Sequence, residues 1–150
     1  PFAEAVKLLQ AQYPQYSEAI RMYDEYWYKM LKCEFPESIA LLKELKSLGY
    51  GIYGLTNWSA EKIGYAFSNY DFFGLFDGIV VSGDEKVAKP DPKIYRILLE
   101  RYGLVPGECV FLDDNADNVN AAEALGINAI RFDNIENVKQ NLAKLLGRTL

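Results

Sequence analysis

The sequence contains no histidine in its 150 residues. This absence excludes a Ser-His-Asp triad, a Cys-His pair and any metal site that depends on imidazole ligands. Cysteine is scarce too: Cys33 and Cys109 stand in apolar surroundings without a CxxC spacing. We therefore expect two buried thiols in a reducing compartment and no zinc site. The chemistry open to this chain depends on carboxylates, hydroxyls, amides and lysine.

The sequence also has no excess of positive charge, and it has no long apolar run. Sixteen Lys and Arg stand against 21 Asp and Glu, which gives a net charge of -5. Because the acids are spread along the chain, no basic face is predicted and nucleic acid is not an expected partner. No leader-like start or bilayer-length apolar run is visible, so we expect a soluble cytoplasmic protein without membrane contact.

The residues that are present suffice for one domain with a single core. Helical periodicity and short apolar runs alternate along the chain. Helices are predicted at 2–12, 17–32, 36–48, from 59 or 60, at 92–99, at 119–125 and at 138–146, and strands at 52–55, 78–82, 110–112 and 129–132. This alternation predicts a Rossmann-like, three-layer α/β/α domain in which helices cover both faces of a parallel sheet.

The second predicted helix carries a stripe of aromatic residues that includes Tyr23, Tyr26 and Trp27. One interpretation is simple packing between two helices. The other is that part of this stripe lines a ligand pocket, since aromatic side chains form rigid apolar walls.

Three glycines at 49, 51 and 54 match the GxGxxG pattern of dinucleotide-binding proteins. That pattern requires a strand before the first glycine and a helix after the third. Here a predicted helix precedes the pattern and its last glycine falls inside a predicted strand. We assign these glycines to a helix end and to close backbone packing.

Two polar groups follow predicted strands in the middle of the chain. Thr56 and Asn57 come directly after the strand at 52–55 and before a helix, a position that suits either a helix cap or an anion. Lys89 stands between Val87-Ala88 and Pro90, where its ammonium is either a solvated surface group or directed inward at a phosphate. Asp91 and Pro92 after it are predicted to cap and begin a helix.

The stretch FLDDNADN, residues 111–118, concentrates the most charge. Asp113 and Asp114 follow a buried strand, and Asn115, Asp117 and Asn118 crowd the same turn. Carboxylates this close raise each other's pKa unless a cation lies between them. A divalent ion that takes oxygen ligands would offset the repulsion and account for all of these polar residues, whereas a helix cap accounts for only one of them.

Taken in order, these motifs resemble the haloacid dehalogenase-like superfamily, in its helical-cap phosphatase branch, over most of residues 36–132. The resemblance implies that Thr56 and Asn57 hydrogen-bond a transferring phosphoryl group and that Lys89 neutralises its charge. It further implies that Asp114 binds Mg2+ directly, with Asp113 beside it and Asn118 orienting both.

The resemblance also implies a division of the chain, with residues 1–34 as the latter part of a helical cap and 35–150 as the core. Family members begin with a strand that ends in DxD, and nothing before Thr56 fits it; Asp24 falls inside a predicted helix. The absent strand would lie between those ending at Leu55 and Leu112. Its absence would expose edges that favour self-association, and it implies a longer parent protein.

The expected function is a Mg2+-dependent phosphatase that acts on a small phosphorylated metabolite through an aspartyl-phosphate in the intact parent. The 150-residue chain itself is predicted to be inactive. Tyr23, Trp27 and Trp58 are candidates for substrate contact. Alternatives are a 2-haloacid dehalogenase-type or phosphomutase activity, or a non-catalytic binding domain. The metal-independent dehalogenases resemble one another in having small hydroxyl residues where this chain has Asp113 and Asp114, so phosphate chemistry is favoured.

Overall fold

The computed structural model describes residues 1–149; Leu150, the last residue of the predicted core domain, lies outside them. The helices are α1 (Phe2–Gln12), α2 (Ser17–Tyr26), α3 (Pro36–Ser47), α4 (Ile63–Asn69), α5 (Ser82–Glu85), α6 (Pro92–Tyr102), α7 (Ala116–Glu123) and α8 (Ile135–Leu146). The strands are β1 (Tyr53–Thr56), β2 (Gly78–Val81), β3 (Val110–Asp113) and β4 (Asn128–Arg131). Short 3-10 segments cover Pro14–Tyr16, Trp27–Met30, Asp71–Leu75 and Pro106–Glu108.

The strands pair in parallel, as predicted, but as two separate pairs. β1 pairs with β2, with Thr56 opposite Val81, and β3 pairs with β4, with Asp113 opposite Arg131. Within residues 1–149 each sheet therefore has two strands. The gap falls between β1 and β3, where the resemblance placed a missing strand.

Helices cover both faces of the strands and so form the predicted three layers. On one face, Leu41 and Leu45 of α3 pack with Val138 and Leu142 of α8 and with Ile130 of β4. Fully burying each such aliphatic side chain contributes about 1.5–3 kcal/mol. Partly buried Val110 and Leu112 of β3 join this cluster.

The second face is covered by α6 and α7. Ile94 and Tyr95 of α6 are fully buried with Val80 of β2 and Ala122 of α7. Leu55 of β1 and Phe111 of β3 pack against the same group of residues. The two faces together hold both sheets in one domain.

Several local predictions are confirmed. Asp91 Oδ1 accepts a hydrogen bond from the Lys93 backbone N–H at 2.8 Å, and Pro92 begins α6. Gly49 has a φ of +87°, the left-handed conformation that ends α3. A Cβ on Gly54 would lie 3.1 Å from Ile79, so this glycine allows close strand packing and forms no dinucleotide loop.

Three helix starts differ from the prediction. α7 begins at Ala116 because Asn115 Oδ1 accepts from the Asp117 N–H and caps the helix. α8 begins at Ile135 because Asn134 does the same for the Asn137 N–H. α4 begins only at Ile63, since hydrogen-bonded turns occupy residues 60–62.

The aromatic second helix is shorter than predicted. α2 ends at Tyr26 and tightens into a 3-10 segment at Trp27, whose ring packs edge-on against Trp58 at 6.2 Å between centroids. Tyr23 and Met22 are 60% and 48% exposed, so the stripe as a whole is not a packed core.

The prediction of two buried thiols is wrong for Cys33, which is exposed in the segment before α3. Cys109 is half-buried. Burial, with a smaller contribution from the charge of Glu108, raises the pKa of the Cys109 thiol. Over residues 1–149, the helices all fall short of the length and apolar character needed to span a membrane.

Candidate functional site

The carboxyl ends of β1 and β3 meet at Lys89. Lys89 Nζ lies 2.6 Å from Asp113 Oδ2, and the two side chains are only 11% and 6% exposed. Lys89 therefore points inward, which resolves the choice between a surface lysine and an inward-directed one. A buried pair of this kind is kept only when its remaining hydrogen-bonding atoms are also satisfied.

Further donors hold Asp113 in place. Its Oδ1 accepts from the Asn115 N–H and from Asn118 Nδ2, both at 2.9 Å. Burial alone would raise the pKa of Asp113, but the hydrogen bonds from Lys89, Asn118 and Asn115 outweigh it and hold the pKa below its ordinary value. The carboxyl group is therefore ionised at neutral pH.

Asn118 is buried in the first turns of α7, and its side-chain amide donates to Asp113. The role that the resemblance implied for it, orienting both Asp113 and Asp114, stays a prediction. The main-chain carbonyl oxygen of Asn118 accepts a hydrogen bond from the Tyr95 hydroxyl at 2.8 Å. Burial, together with the charge of Asp113, raises the pKa of Tyr95 to about 12, so the hydroxyl stays protonated and donates. Tyr95 was missed as a site residue; a tyrosine among the aliphatic residues of α6 is the signal that indicates a buried hydroxyl with a partner.

Asn57 uses its side-chain amide to hold the loop that carries Lys89. Nδ2 donates to the Lys89 carbonyl oxygen at 2.9 Å, and Oδ1 accepts from the Lys89 N–H at 2.8 Å. Both polar atoms of the amide are thus engaged by the main chain of Lys89. The phosphoryl contact that the resemblance implied for Asn57 stays a prediction, with one hydrogen of Nδ2 left to make it.

Thr56 is the last residue of β1 and is half-buried beside the gap between β1 and β3. The loop after it is fixed by Ser82, whose Oγ accepts from the Trp58 N–H at 3.0 Å and donates to the Trp58 carbonyl at 3.2 Å. A Cβ on Gly83 would lie 2.2 Å from the backbone nitrogen of Ala60. Ser82 and Gly83 therefore position this loop, and sequence patterns alone did not indicate either role.

Asp114 is exposed at the end of β3, and its carbonyl oxygen accepts from Arg131 Nε at 3.2 Å. Across residues 1–149 no three Asp, Glu or Cys side chains are grouped as a complete metal site. Mg2+ commonly takes one or two protein carboxylates together with water and substrate oxygens. Asp113 and Asp114 fit such a partial site, with Asp114 offering the accessible oxygens.

The predicted substrate-contact residues are only partly brought together. Trp27 contacts Trp58 and also Tyr65, at 5.6 Å between ring centroids. Tyr23 is not among the aromatic contacts of the described residues. Asp24 lies inside α2, as predicted, and its carboxylate pairs with Lys62.

Comparison with known proteins places these observations in a family. Residues 2–126 match the family described as haloacid dehalogenase-like hydrolase. The chain is 32% identical over 106 residues to (S)-2-haloacid dehalogenase 4A of Burkholderia cepacia, covering 71% of this chain and 46% of the relative. It is 32% identical over 108 residues to the sesquiterpene phosphatase astK of Aspergillus oryzae, covering 72% of this chain and 55% of the relative.

A solved structure shares the fold at a similar level. It is a HAD family enzyme of Bacteroides thetaiotaomicron, the wild-type protein in complex with magnesium and inorganic phosphate. The TM-score is 0.60 at 27% identity, with 65% of this chain and 52% of that chain covered. This chain thus spans about half the length of these relatives.

Proposed function

Because the chain belongs to the haloacid dehalogenase-like hydrolases, we propose that it forms the phosphate- and metal-binding half of a Mg2+-dependent phosphatase. The substrate class is a small phosphorylated metabolite. Lys89 carries the proposal: its buried ammonium pairs with Asp113 beside an exposed second carboxylate, and Asn57 holds its main chain.

Phosphoryl transfer depends mainly on positioning and on neutralising charge. In this proposal Lys89 neutralises the phosphoryl oxygens from one side, and the Thr56 hydroxyl hydrogen-bonds them at the end of β1. Asp114 and Asp113 would hold Mg2+, which supplies further positive charge when bound. Asn118 and Asn57 position the two sides of the site.

The proposed reaction has two steps. A carboxylate oxygen attacks phosphorus, the ester P–O bond breaks and the leaving alkoxide takes a proton from a general acid or water. A water molecule then attacks the phosphorus of the acyl phosphate, the bond between phosphorus and the carboxylate oxygen breaks, and phosphate leaves as the carboxylate is restored. Before Thr56 the only aspartate is Asp24, which is paired with Lys62. We therefore propose that the attacking carboxylate belongs to another part of the full-length protein.

We also propose that residues 1–34 act as part of a cap over this site. Trp27 of this segment touches Trp58, which directly follows Thr56 and Asn57. The two indole rings would form an apolar wall for the part of the substrate that does not react. Tyr23, being largely exposed, would contact only a larger substrate.

Carbon-halogen hydrolysis is the second candidate, because one relative is a (S)-2-haloacid dehalogenase. The adjacent pair of Asp113 and Asp114 favours the phosphatase, since a halide leaving group requires no second carboxylate for a divalent ion.

The test uses the full-length protein that contains this chain. Release of phosphate from a panel of small phosphate esters, and of halide from 2-haloacids, is measured with Mg2+ and with EDTA. We expect Mg2+-dependent phosphate release that D114N reduces by at least about tenfold, as loss of one metal ligand or its support commonly does. The matched control D117N alters an exposed aspartate in the same turn. Halide release without Mg2+ would support the second candidate and overturn the first.

A further inference from the structure

Phe111 and Asp113 stand two positions apart on β3, so their side chains lie on the same face of the strand. Phe111 packs on the side that α6 and α7 cover, and Asn118 of α7 reaches Asp113 from that side as well. An aromatic ring and a carboxylate are therefore neighbours on this face. A cation that binds Asp113 here also comes close to the ring.

Lys89 supplies that cation. Its Nζ lies 2.6 Å from Asp113 Oδ2 and 5.5 Å from the centre of the Phe111 ring. The face of an aromatic ring carries negative partial charge and attracts an ammonium within about 6 Å of its centre. Since the Lys89 side chain is largely buried, water screens this attraction less than it would at the surface. The ammonium is therefore held by both a carboxylate and a ring.

The Phe111 ring is itself fixed by a neighbour. The ring of Tyr95 packs against it at 5.4 Å between centroids, with the two planes 72° apart. Tyr95 is fully buried, and its hydroxyl donates to the main-chain carbonyl oxygen of Asn118 at 2.8 Å. Because Tyr95 is held at both its ring and its hydroxyl, it restrains Phe111 in turn. The ring that Lys89 faces is thus preorganised.

The ring supplies an interaction that an aliphatic side chain of similar size would not. Burying an ammonium is costly unless its charge is compensated. Lys89 Nζ has three N–H groups, and within residues 1–149 the side-chain oxygen that accepts from it belongs to Asp113. Attraction to a ring acts on the whole charge and needs no N–H group aimed at a particular atom. It therefore offsets part of the cost of burial and leaves N–H groups free for another anion.

We propose that Phe111 is a positioning residue whose ring holds the Lys89 ammonium beside Asp113, with free N–H groups available to phosphoryl oxygens. The benefit for phosphate rests on the function proposed above, whereas the contact between the ring and the ammonium stands without it. The stretch at 111–118 then contributes an aromatic face to the site as well as its carboxylates.

The first test changes the charge distribution of the ring and little else. Phe111 of the 150-residue chain is replaced by phenylalanine with one, two or three ring fluorines, each of which weakens the negative face. We expect the equilibrium constant for unfolding, extrapolated from urea to water, to rise with each fluorine, by about fivefold to thirtyfold over the series. The same series in K89M, where no ammonium faces the ring, should change it by less than about twofold.

Phe73 provides the matched control. Its ring also packs on other rings, at 5.0 Å from that of Phe67 and 4.4 Å from that of Phe72. The lysine contacts to rings described within residues 1–149 lie elsewhere. Fluorination at Phe73 should therefore change the unfolding constant by less than about twofold. A flat series at Phe111, an equal trend at Phe73 or a trend that persists in K89M would overturn the proposal.

The second test measures phosphate release by the longer parent protein proposed above, with the same Phe111 series. If the ring positions Lys89, kcat/KM for a small phosphate ester should fall with each fluorine, by about fivefold or more in all. A ring that only fills space would leave kcat/KM constant, because the assay reports on the folded protein.

The proposed function and the role of Phe111 fail separately. A constant kcat/KM across the Phe111 series, while D114N still reduces phosphate release, would overturn the positioning role and leave the proposed function intact. If the unsubstituted parent releases no phosphate, the proposed function fails, and the unfolding series still decides whether the ring holds the ammonium.

Discussion

The molecule contains two Lys–Asp pairs that differ in burial and in supporting bonds. Lys89 and Asp113 are 11% and 6% exposed, and two further donors reach the carboxylate. Lys62 and Asp24 are 18% and 27% exposed, and this ammonium also lies 4.6 Å from the centre of the Phe2 ring. The first pair lies in the candidate site between the ends of β1 and β3, whereas the second attaches α1 and α2 to the start of α4. The two Lys–Asp pairs thus differ in what they stabilise because their burial and their neighbouring groups differ.

The largest effect is expected from K89M. Asp113 would remain as a buried carboxylate without its cation, and breaking a buried pair in this way costs about 3–5 kcal/mol. Urea unfolding measures the loss. K93M, at an exposed lysine on α6, is the control and should change stability by less than about 0.5 kcal/mol. A loss as small as that of the control would show that Asp113 is solvated.

Acid should weaken the same pair. The pKa of Asp113 is lower in the folded than in the unfolded chain, so its contribution is present above the unfolded value of about 3.9 and is lost as pH falls through the folded value. Stability measured from pH 6 downward should fall below about pH 4. D113N, which cannot titrate, should show a shallower fall; an unchanged slope would contradict the assignment.

N57A should have an intermediate effect. It removes two hydrogen bonds to the Lys89 main chain, and because both lie at the exposed surface, each loss costs about 0.5–1.5 kcal/mol. In the longer parent protein proposed above, activity should fall further than stability, since Lys89 would lose its position. N120A, at an exposed asparagine of α7, is the control. Full activity in N57A would show that the Lys89 loop holds its shape without this amide.

The smallest effect is expected from K62M, because pairs that are partly exposed contribute about 0–1 kcal/mol. The informative measurement is local. Loss of the Asp24 contact should change the tryptophan fluorescence from Trp27 and Trp58 and speed proteolysis within residues 1–30, while leaving the core intact. K43M, at an exposed lysine of α3, provides the comparison. Identical cleavage rates would show that α1 and α2 are held by other contacts.

Sequence patterns predicted the parts of the fold that depend on periodicity and on local caps. The alternation of helices and strands and the Asp91 cap follow from neighbouring residues, whereas neighbouring residues left open whether Lys89 lies at the surface or points inward. The cap at Asn134 was missed, and the cap in residues 113–118 was weighed without being assigned to Asn115, because asparagines within a polar run are equally typical of turns. The Asn57 contact joins residues 32 positions apart, and no local pattern specifies such a pairing.

The aromatic residues also show that local sequence patterns do not specify long-range contacts. A stripe at helical spacing predicts an apolar face but not what covers it. The ring of Trp27 packs against that of Trp58, whereas Tyr23 and Met22 are exposed. The separation of the sheet into two pairs, by contrast, was expected from the family resemblance and not from the periodicity.

The most direct test of the central claim is a Mg2+ titration of the 150-residue chain, followed by the NMR shifts of its backbone amides. If Asp113 and Asp114 form half of a metal site, saturable shifts should be confined to residues 113–118 and disappear in D114N but not in D117N. The same sample should release no phosphate from small esters. Absence of Mg2+-dependent shifts at these residues, or shifts that persist in D114N, would contradict the account.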